Sequence, residues 1–93
     1  MLLTQKVIFA PTVFAQEVDG EMVLLDMQSE NYFGLDGVGT AIWQEIERYD
    51  GELQKVLKAL LEKYEVEEQV LISDLLEFID KLEESGLVKK TIK

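Results

Sequence analysis

The stretch NYFGLDGVGTAIW, residues 31–43, changes its hydrophobic period partway along and divides the chain into two kinds of structure. Its first residues, NYFGL, are rich in strand-forming aromatic side chains and carry no charge. From Asp36 onward the apolar residues recur at helical spacing, and the Asp36 carboxylate is suited to cap the first turn of a helix. The sequence therefore predicts a short strand that leads directly into a helix ending near Tyr49.

Two further strands are predicted before this one, so that residues 11–35 form a three-stranded antiparallel meander. Asp19-Gly20 is a strong signal for a two-residue hairpin, because a type I′ turn needs positive φ at both central positions. With the turn there, Phe14 lies opposite Leu25 as a cross-strand pair. The segment QSEN forms the second turn.

Three helices are predicted after the strands. The second spans about 52–63 and the third about 67–85, and Gly86 suits the left-handed position that follows a helix. We interpret Gly37 and Gly39 as sites where the first helix packs closely beneath the sheet and a Cβ would collide. Three strands followed by three helices predict the α+β class, and the short links between the helices also suit a helix-turn-helix arrangement.

Composition excludes several classes of site. The chain has no cysteine and no histidine, so disulfides, thiolate zinc sites and histidine-based catalysis are ruled out, and we predict no catalytic, metal or cofactor site. Its formal charge of -10 repels phosphate backbones, so we expect no nucleic-acid partner. No apolar run is long enough to cross a membrane and no signal peptide is recognisable, which predicts a cytoplasmic protein without a membrane partner.

A chain of 93 residues is expected to form one domain. We assign residues 11–93 to that domain. Residues 1–10 are interpreted as an N-terminal arm, which is either part of the fold or loosely attached.

The third helix and the third strand together would allow a peptide-binding groove, although apolar stripes more often enter the core. One apolar stripe of that helix is predicted to enter the core, and a second lies about 100° around the helix. The first stripe comprises Leu71, Leu75, Phe78 and Leu82, and the second Ile72, Leu76 and Ile79. The third strand is the last of the meander and has neither charge nor proline to protect its edge. A groove between them would accept an extended peptide by strand addition. The alternatives are that the helix is buried all round, and that the edge is covered by the N-terminal arm or a second copy of the chain.

The pattern resembles the family of coenzyme PQQ synthesis protein D, whose members are called RiPP recognition elements. The resemblance rests on VLLDMQSENYFGLDGVGTAIW, on LQKVLKALLEKYEV and on DLLEFIDKLEESGLV, and it covers about residues 11–89. It implies a winged-helix-like domain that binds the leader of a ribosomally made precursor peptide on its third strand, against its third helix. It further implies that the domain delivers the precursor to modifying enzymes.

The same resemblance implies which residues contact the leader. Four residues of the third strand would pair with its backbone: Asn31, Tyr32, Phe33 and Gly34. Four residues of the third helix would form an apolar pocket: Ile72, Leu75, Leu76 and Ile79. Asp74 would pair with a basic leader residue; its alternative is an ordinary exposed carboxylate. The segment NYFGLDGVGTAIW resembles that of the lasso-peptide group, whose partners would be a leader peptidase and a macrocyclase.

Other functions remain as alternatives. A peptide chaperone of the PQQ type would serve a radical SAM enzyme instead, and a structural subunit would bind no peptide. A DNA-binding helix-turn-helix would need basic residues on the third helix, which has only Lys81. Ser73 superficially resembles the phosphopantetheine serine of a carrier protein, but it lies inside the third helix and near the end of the chain.

Overall fold

The computed structural model describes residues 5–92 of the chain. Five strands and three helices follow in the order β1, β2, β3, β4, α1, α2, α3, β5. Their bounds are β1 Gln5–Phe9, β2 Val13–Val18, β3 Glu21–Asp26, β4 Asn31–Gly34, α1 Gly37–Arg48, α2 Leu53–Lys63, α3 Glu68–Glu84 and β5 Val88–Ile92. The predicted α+β class, with a three-stranded antiparallel sheet followed by three helices, is confirmed.

The three-stranded sheet has the order β2-β3-β4 and the predicted register. Phe14 pairs with Leu25, as the hairpin at Asp19-Gly20 requires. Both turn residues have positive φ, 52° at Asp19 and 83° at Gly20, which is the type I′ signature that the sequence predicted. The turn residues therefore set the strand register by local geometry alone.

The helices lie close to their predicted bounds. Asp36 caps α1 as expected, because its Oδ1 accepts a hydrogen bond from the Gly39 N–H at 2.7 Å. Gly86 follows α3 with φ of 76°, the left-handed conformation predicted there.

A second sheet was not predicted: β1 pairs antiparallel with β5. Residues 5–9 belong to the predicted N-terminal arm of residues 1–10, and no strand was predicted there or after Gly86. The two strands lie at opposite ends of the chain, so their pairing is a long-range event that no local signal reports. Lys90 ties β5 to α3 through ion pairs of 2.6 Å to Asp80 and 3.1 Å to Glu83. Both carboxylates accept hydrogen bonds from the ammonium group and raise the pKa of Lys90.

The core lies between the helices and the inner faces of the two sheets. Its largest side chain is Trp43, 2% exposed, whose ring stacks on Phe9 with centroids 4.3 Å apart. The other fully buried side chains come from every helix and from both sheets: Leu24, Ile46, Leu53, Val56, Leu60, Leu75, Ile79, Leu87 and Val88. Within residues 5–92, no helix is long and apolar enough to cross a membrane; the cytoplasmic location stays a prediction.

Candidate functional site: the β4 edge and its neighbours

The backbone of β4 presents hydrogen-bonding groups on two sides. The Leu35 N–H donates to the Met22 carbonyl at 2.8 Å, which marks that pair as hydrogen-bonded. Such pairs alternate along an antiparallel ladder, so Phe33 bonds to Leu24 of β3 in the same way. The N–H and C=O groups of Tyr32 and Gly34 therefore point away from β3. No described strand pairs with that outer edge.

The turn before β4 is held by the carboxylate of Asp26. Its Oδ1 accepts from the Thr12 hydroxyl at 2.9 Å and from the Gln28 N–H at 3.1 Å, and its Oδ2 accepts from the Ser29 hydroxyl at 2.9 Å. These bonds stabilise the charged carboxylate, and the one from Ser29, followed by that from Thr12, lowers the pKa of Asp26. These hydrogen bonds to the Asp26 carboxylate, which we call the clasp, fix the turn that leads into Asn31, the first residue of β4.

The side chains of β4 alternate between the two faces of the sheet. Phe33 lies opposite Leu24 and packs against the core. Tyr32 points to the other face and is 73% exposed. Asn31 and Gly34 are also exposed. Of the four predicted strand residues, Tyr32 and Gly34 thus offer backbone groups to the edge, whereas Phe33 anchors the strand.

A cleft of about 190 Å³ lies between the start of α1 and α3. Its lining combines apolar side chains with charged groups of both elements: Asp36, Val38, Gly39, Ile42, Asp74, Glu77, Phe78 and Lys81. Because Asp36 follows β4 by two residues, the cleft is close to the end of the edge strand.

Gly39 brings the start of α1 against α3. A Cβ at this position would come within 3.2 Å of the Phe78 ring and 3.2 Å of the Asp36 carboxylate. The expectation of close packing is correct for Gly39, but the three nearest atoms belong to α3, to the helix cap and to Leu35, at 3.4 Å. For Gly37 the expectation is wrong, since a Cβ there would meet open space.

The two predicted stripes of α3 are divided differently in the structure. Phe78 is half-buried, whereas Ile79 is completely buried, so these two residues exchange the places that the sequence gave them. Leu75 is also completely buried. Two of the four predicted pocket residues, Leu75 and Ile79, are therefore core residues with no exposed surface.

The other two predicted pocket residues, Ile72 and Leu76, are half-buried on a different flank of α3. At 100° per residue they lie roughly 120–160° around the axis from Asp74 and Phe78. That flank also carries Asp80 and Glu83, which bind Lys90 of β5. The structure brings Asp74 together with the start of α1 and does not bring Ile72 and Leu76 there.

The apolar stripe predicted a core position for Phe78, although the sequence also carried a signal for the position that the structure shows. Asp74 and Phe78 are four residues apart and therefore share one flank of the helix. Once Asp74 was assigned to the site, the same spacing should have assigned Phe78. Val38, 58% exposed at the start of α1, also lines the cleft and was not among the predicted site residues.

The cleft is negatively charged on balance. Asp74 is exposed, and it has no ion pair within the described part of the chain. Glu77 pairs with Lys81 at 3.4 Å, so the one cation of the lining is already partly neutralised. A cationic side chain with an apolar stem would complement both the carboxylates and the Phe78 ring. Residues 5–92 contain no group of three or more acidic side chains arranged to hold a metal ion.

The sequence matches the profile of the family Coenzyme PQQ synthesis protein D (PqqD) over residues 21–88. Among solved structures, "TbiB1 in Complex with the TbiA(beta) Leader Peptide" is similar, with 30% identity and a TM-score of 0.83, covering 88% of this chain and 94% of that one. "Lasso peptide synthetase B1 complexed with the leader peptide" has 26% identity and a TM-score of 0.75, covering 90% of this chain and 98% of that one. No curated protein sequence matches the chain.

Proposed function

The chain belongs to the PqqD family as a PqqD-like RiPP recognition element, and on that premise we propose that it binds the leader segment of a ribosomally made precursor peptide. The leader adds as a fourth strand to the outer edge of β4. The observation that carries this proposal is that no strand among residues 5–92 pairs with this edge, toward which the N–H and C=O groups of Tyr32 and Gly34 are directed. Strand addition uses such groups for affinity and register.

The flank of α3 that holds Asp74 and Phe78 forms the wall of this site in our proposal. Support comes from the contact of α3 with the start of α1, directly after β4, and from the cleft between them. Phe78 supplies an apolar surface, and Asp74 takes a basic leader residue. The predicted pocket of Ile72, Leu75, Leu76 and Ile79 stays a prediction, with Leu75 and Ile79 completely buried.

We place the protein in lasso-peptide synthesis, where it delivers the bound precursor to a leader peptidase and a macrocyclase. Both solved structures named above contain a leader peptide, and the second is called lasso peptide synthetase B1. In this role the chain acts by binding and performs no chemistry itself. Service to a radical SAM enzyme of PQQ synthesis is the alternative pathway, consistent with the family's description.

The test of strand addition is leader affinity, measured by fluorescence anisotropy with the leader of the precursor encoded beside this gene. Tyr32→Pro removes an outward N–H, and Tyr32→Ala is its control because it removes the same side chain and keeps that N–H. We expect Tyr32→Pro to bind at least about tenfold more weakly than Tyr32→Ala, the equivalent of one hydrogen bond. Equal affinities in two folded variants would contradict strand addition at β4.

Proline at Phe33 tests a different contact. The Phe33 N–H points to β3, so Phe33→Pro breaks the ladder inside the sheet and lowers the thermal midpoint. It therefore serves as the positive control for loss of structure in the circular dichroism of the Tyr32 variants.

The choice between the two flanks of α3 is tested by Phe78→Ser and Leu76→Ser. Both replace a half-buried apolar side chain on the same helix. We expect Phe78→Ser to weaken leader binding by about tenfold or more, and Leu76→Ser to change it by less than about threefold. The reverse result would assign the leader to the flank predicted from the sequence. Ile79→Asp cannot decide the question, because a charge at a completely buried position disrupts the core.

A further inference from the structure

Gly34 is a glycine that the fold itself does not require. Its backbone is outside the left-handed region, since the described glycines with positive φ are Gly20, Gly51 and Gly86. An added Cβ at Gly34 would have no atom beyond the adjacent residues within 4 Å. The register of β4 is regular at this point, where Gly34 pairs with Val23. A glycine inside a strand weakens the strand, and it often marks a place where a ligand or another backbone approaches closely.

The space beside Gly34 belongs to a cavity of about 350 Å³ at one end of the three-stranded sheet. We call it the Gly34 cavity, and its lining includes Val18, Asp19, Glu21, Val23, Gly34 and Asp36. Val18 and Val23 offer apolar surface, and Val18 is 49% exposed. The lining joins the hairpin turn after β2 to the link between β4 and α1, so the cavity adjoins the end of the strand edge proposed to bind the leader.

A strand added to β4 would place one of its side chains beside the Gly34 cavity. The N–H and C=O groups of Gly34 point to the outer edge, so Gly34 would form a hydrogen-bonded pair with one leader residue. The side chains of such a pair stand on the same face of the sheet, here the face of Tyr32 and Val23. Beside Tyr32 an aromatic ring occupies that face, whereas no side chain does so at Gly34. The leader residue paired with Gly34 can therefore lay its side chain across the strand toward Val23.

The charge of the Gly34 cavity favours a cationic side chain. Asp19, Glu21 and Asp36 are exposed, and none of them forms an ion pair within residues 5–92. The chain also contains no lysine or arginine between Lys6 and Arg48, and so none on the three-stranded sheet or on its link to α1. A lysine or arginine combines an apolar stem, which suits the valines, with a charged head, which suits the carboxylates.

We propose that the Gly34 cavity receives a lysine or arginine side chain of the leader, carried by the residue that pairs with Gly34. Gly34 is then a specificity-determining residue, because it leaves the stem of that side chain a path across the strand to the carboxylates. The inference rests on the proposed function and adds to it a position and a chemistry that the leader must show. Asp74 does not line this cavity, so the residue is a second basic position, separate from the one assigned to Asp74.

The experiment measures the affinity of the full chain for the leader of the precursor encoded beside this gene, by fluorescence anisotropy. The test variant is Gly34→Val, which fills the gap with a good strand former and keeps the backbone N–H. The matched control is Gly37→Ala, because an added Cβ there also meets open space and Gly37 does not line the cavity. Thermal melts followed by circular dichroism accompany each binding measurement.

We expect Gly34→Val to bind the leader about tenfold more weakly than the parent, because its side chain occupies the path of the leader side chain. Its thermal midpoint should equal or exceed that of the parent, since valine replaces a flexible glycine inside a strand. Gly37→Ala should bind as the parent does. A folded Gly34→Val protein with parental affinity, or the same loss of affinity in Gly37→Ala, would overturn the proposal.

The carboxylates are tested by Asp19→Asn combined with Glu21→Gln, which removes two charges and keeps the shape of the lining. Asparagine tolerates the left-handed backbone of Asp19, where φ is 52°. We expect about a fivefold loss of leader affinity at low salt, the upper range for exposed ion pairs, and a smaller difference at high salt. If Gly34→Val weakens binding and this charge variant does not, the cavity takes an uncharged side chain and the assignment of a cation is overturned.

Leader variants identify the residue in the cavity, whether or not Gly34→Val folds. Each lysine and arginine of the leader is replaced in turn by methionine, which keeps an apolar stem and removes the charge. One replacement should cost about fivefold in affinity for the parent and almost nothing for the Asp19→Asn, Glu21→Gln variant, because both changes remove the same contact. A leader without lysine or arginine, or additive losses at every position, contradicts the proposal.

Failure of this inference can be told apart from failure of the proposed function. If the parent does not bind the leader, leader binding itself is wrong and the cavity has no such ligand. If the parent binds and Tyr32→Pro lowers its affinity as predicted, while every variant of the Gly34 cavity binds as the parent does, only the present inference is overturned.

Discussion

The two sheets of the molecule are built alike but differ in whether a loop of the described chain covers an outer strand edge. Each is antiparallel and packs one face on the core, through Val7 and Val88 in one sheet and Leu24 in the other. The β1–β5 sheet is closed on the β1 side. The Val7 N–H donates to the Gly51 carbonyl at 2.9 Å, and the backbones of Lys6 and Glu52 form an isolated antiparallel β-bridge. The β4 side of the other sheet has no such contact within residues 5–92.

This difference teaches that the apolar character of a strand does not reveal whether its edge is free. β1 contains the apolar run Val7, Ile8 and Phe9, which is at least as hydrophobic as the NYFG sequence of β4. Its edge is nevertheless occupied by the loop between α1 and α2. The functional interpretation of β4 depends on the absence of an equivalent loop, which is a property of the assembled fold.

The largest expected effect comes from breaking the closed sheet with Gly51→Ala. A Cβ there would stand 1.9 Å from the Val7 carbonyl oxygen, in a backbone with φ of 80°. We expect a loss of roughly 3 kcal/mol or more in the free energy of unfolding, from left-handed strain together with overpacking. Urea denaturation measures it.

The matched control is Gly86→Ala, at φ of 76° but with open space around its Cβ. It should cost only the strain of the left-handed backbone, about 1–2 kcal/mol. Equal losses for the two alanine variants would mean that the contact of Gly51 with β1 does not hold the closed sheet in place.

Phe9→Ala tests the side-chain contact that holds β1 against the core. Phe9 is half-buried and stacks on Trp43, so we expect a loss of about 2 kcal/mol, less than for a completely buried phenylalanine. Phe9→Leu keeps most of the apolar surface and should lose about 1 kcal/mol through the stacking term. If alanine and leucine variants unfold at the same urea concentration as the parent, β1 is not anchored by this stack.

In the open sheet, Asp26→Asn weakens the clasp that starts β4. Because the folded-state pKa of Asp26 is lowered, its contribution is fully present above the unfolded value near 3.8 and is lost as pH falls below it toward the folded pKa. We expect the parent to lose thermal stability below about pH 4 more steeply than Asp26→Asn does. Thermal melts at several pH values measure the difference, and parallel curves would contradict a role for the Asp26 charge.

The smallest effect is expected for Phe14→Thr on the outer face of the open sheet. Phe14 is 62% exposed and threonine is a good strand former, so stability should change by less than about 0.5 kcal/mol. A loss as large as that of Phe9→Ala would show that Phe14 stabilises the sheet despite its exposure.

Much of the candidate site could be predicted because its signals are local. The turn at Asp19-Gly20 fixes the register of the hairpin, the Asp36 cap starts α1, and the order of the strands puts β4 last. The flank of α3 also had a local signal, the four-residue spacing of Asp74 and Phe78, but the apolar stripe that includes Phe78 predicted that this residue is buried. Phe78 and Ile79 are neighbours with similar hydrophobicity, and a small rotation of the helix decides which one is completely buried.

The sequence by itself determined the three strands of the meander, the three helices, their order and the register of the meander, because turns, caps and hydrophobic periods act over a few residues. Only the tertiary structure decided that β1 meets β5, that the loop at Gly51 covers one strand edge, and that Asp74 and Phe78 face the start of α1. Those outcomes depend on contacts between distant parts of the chain, where many pairings satisfy the same hydrophobic pattern and only close packing of the whole core selects one.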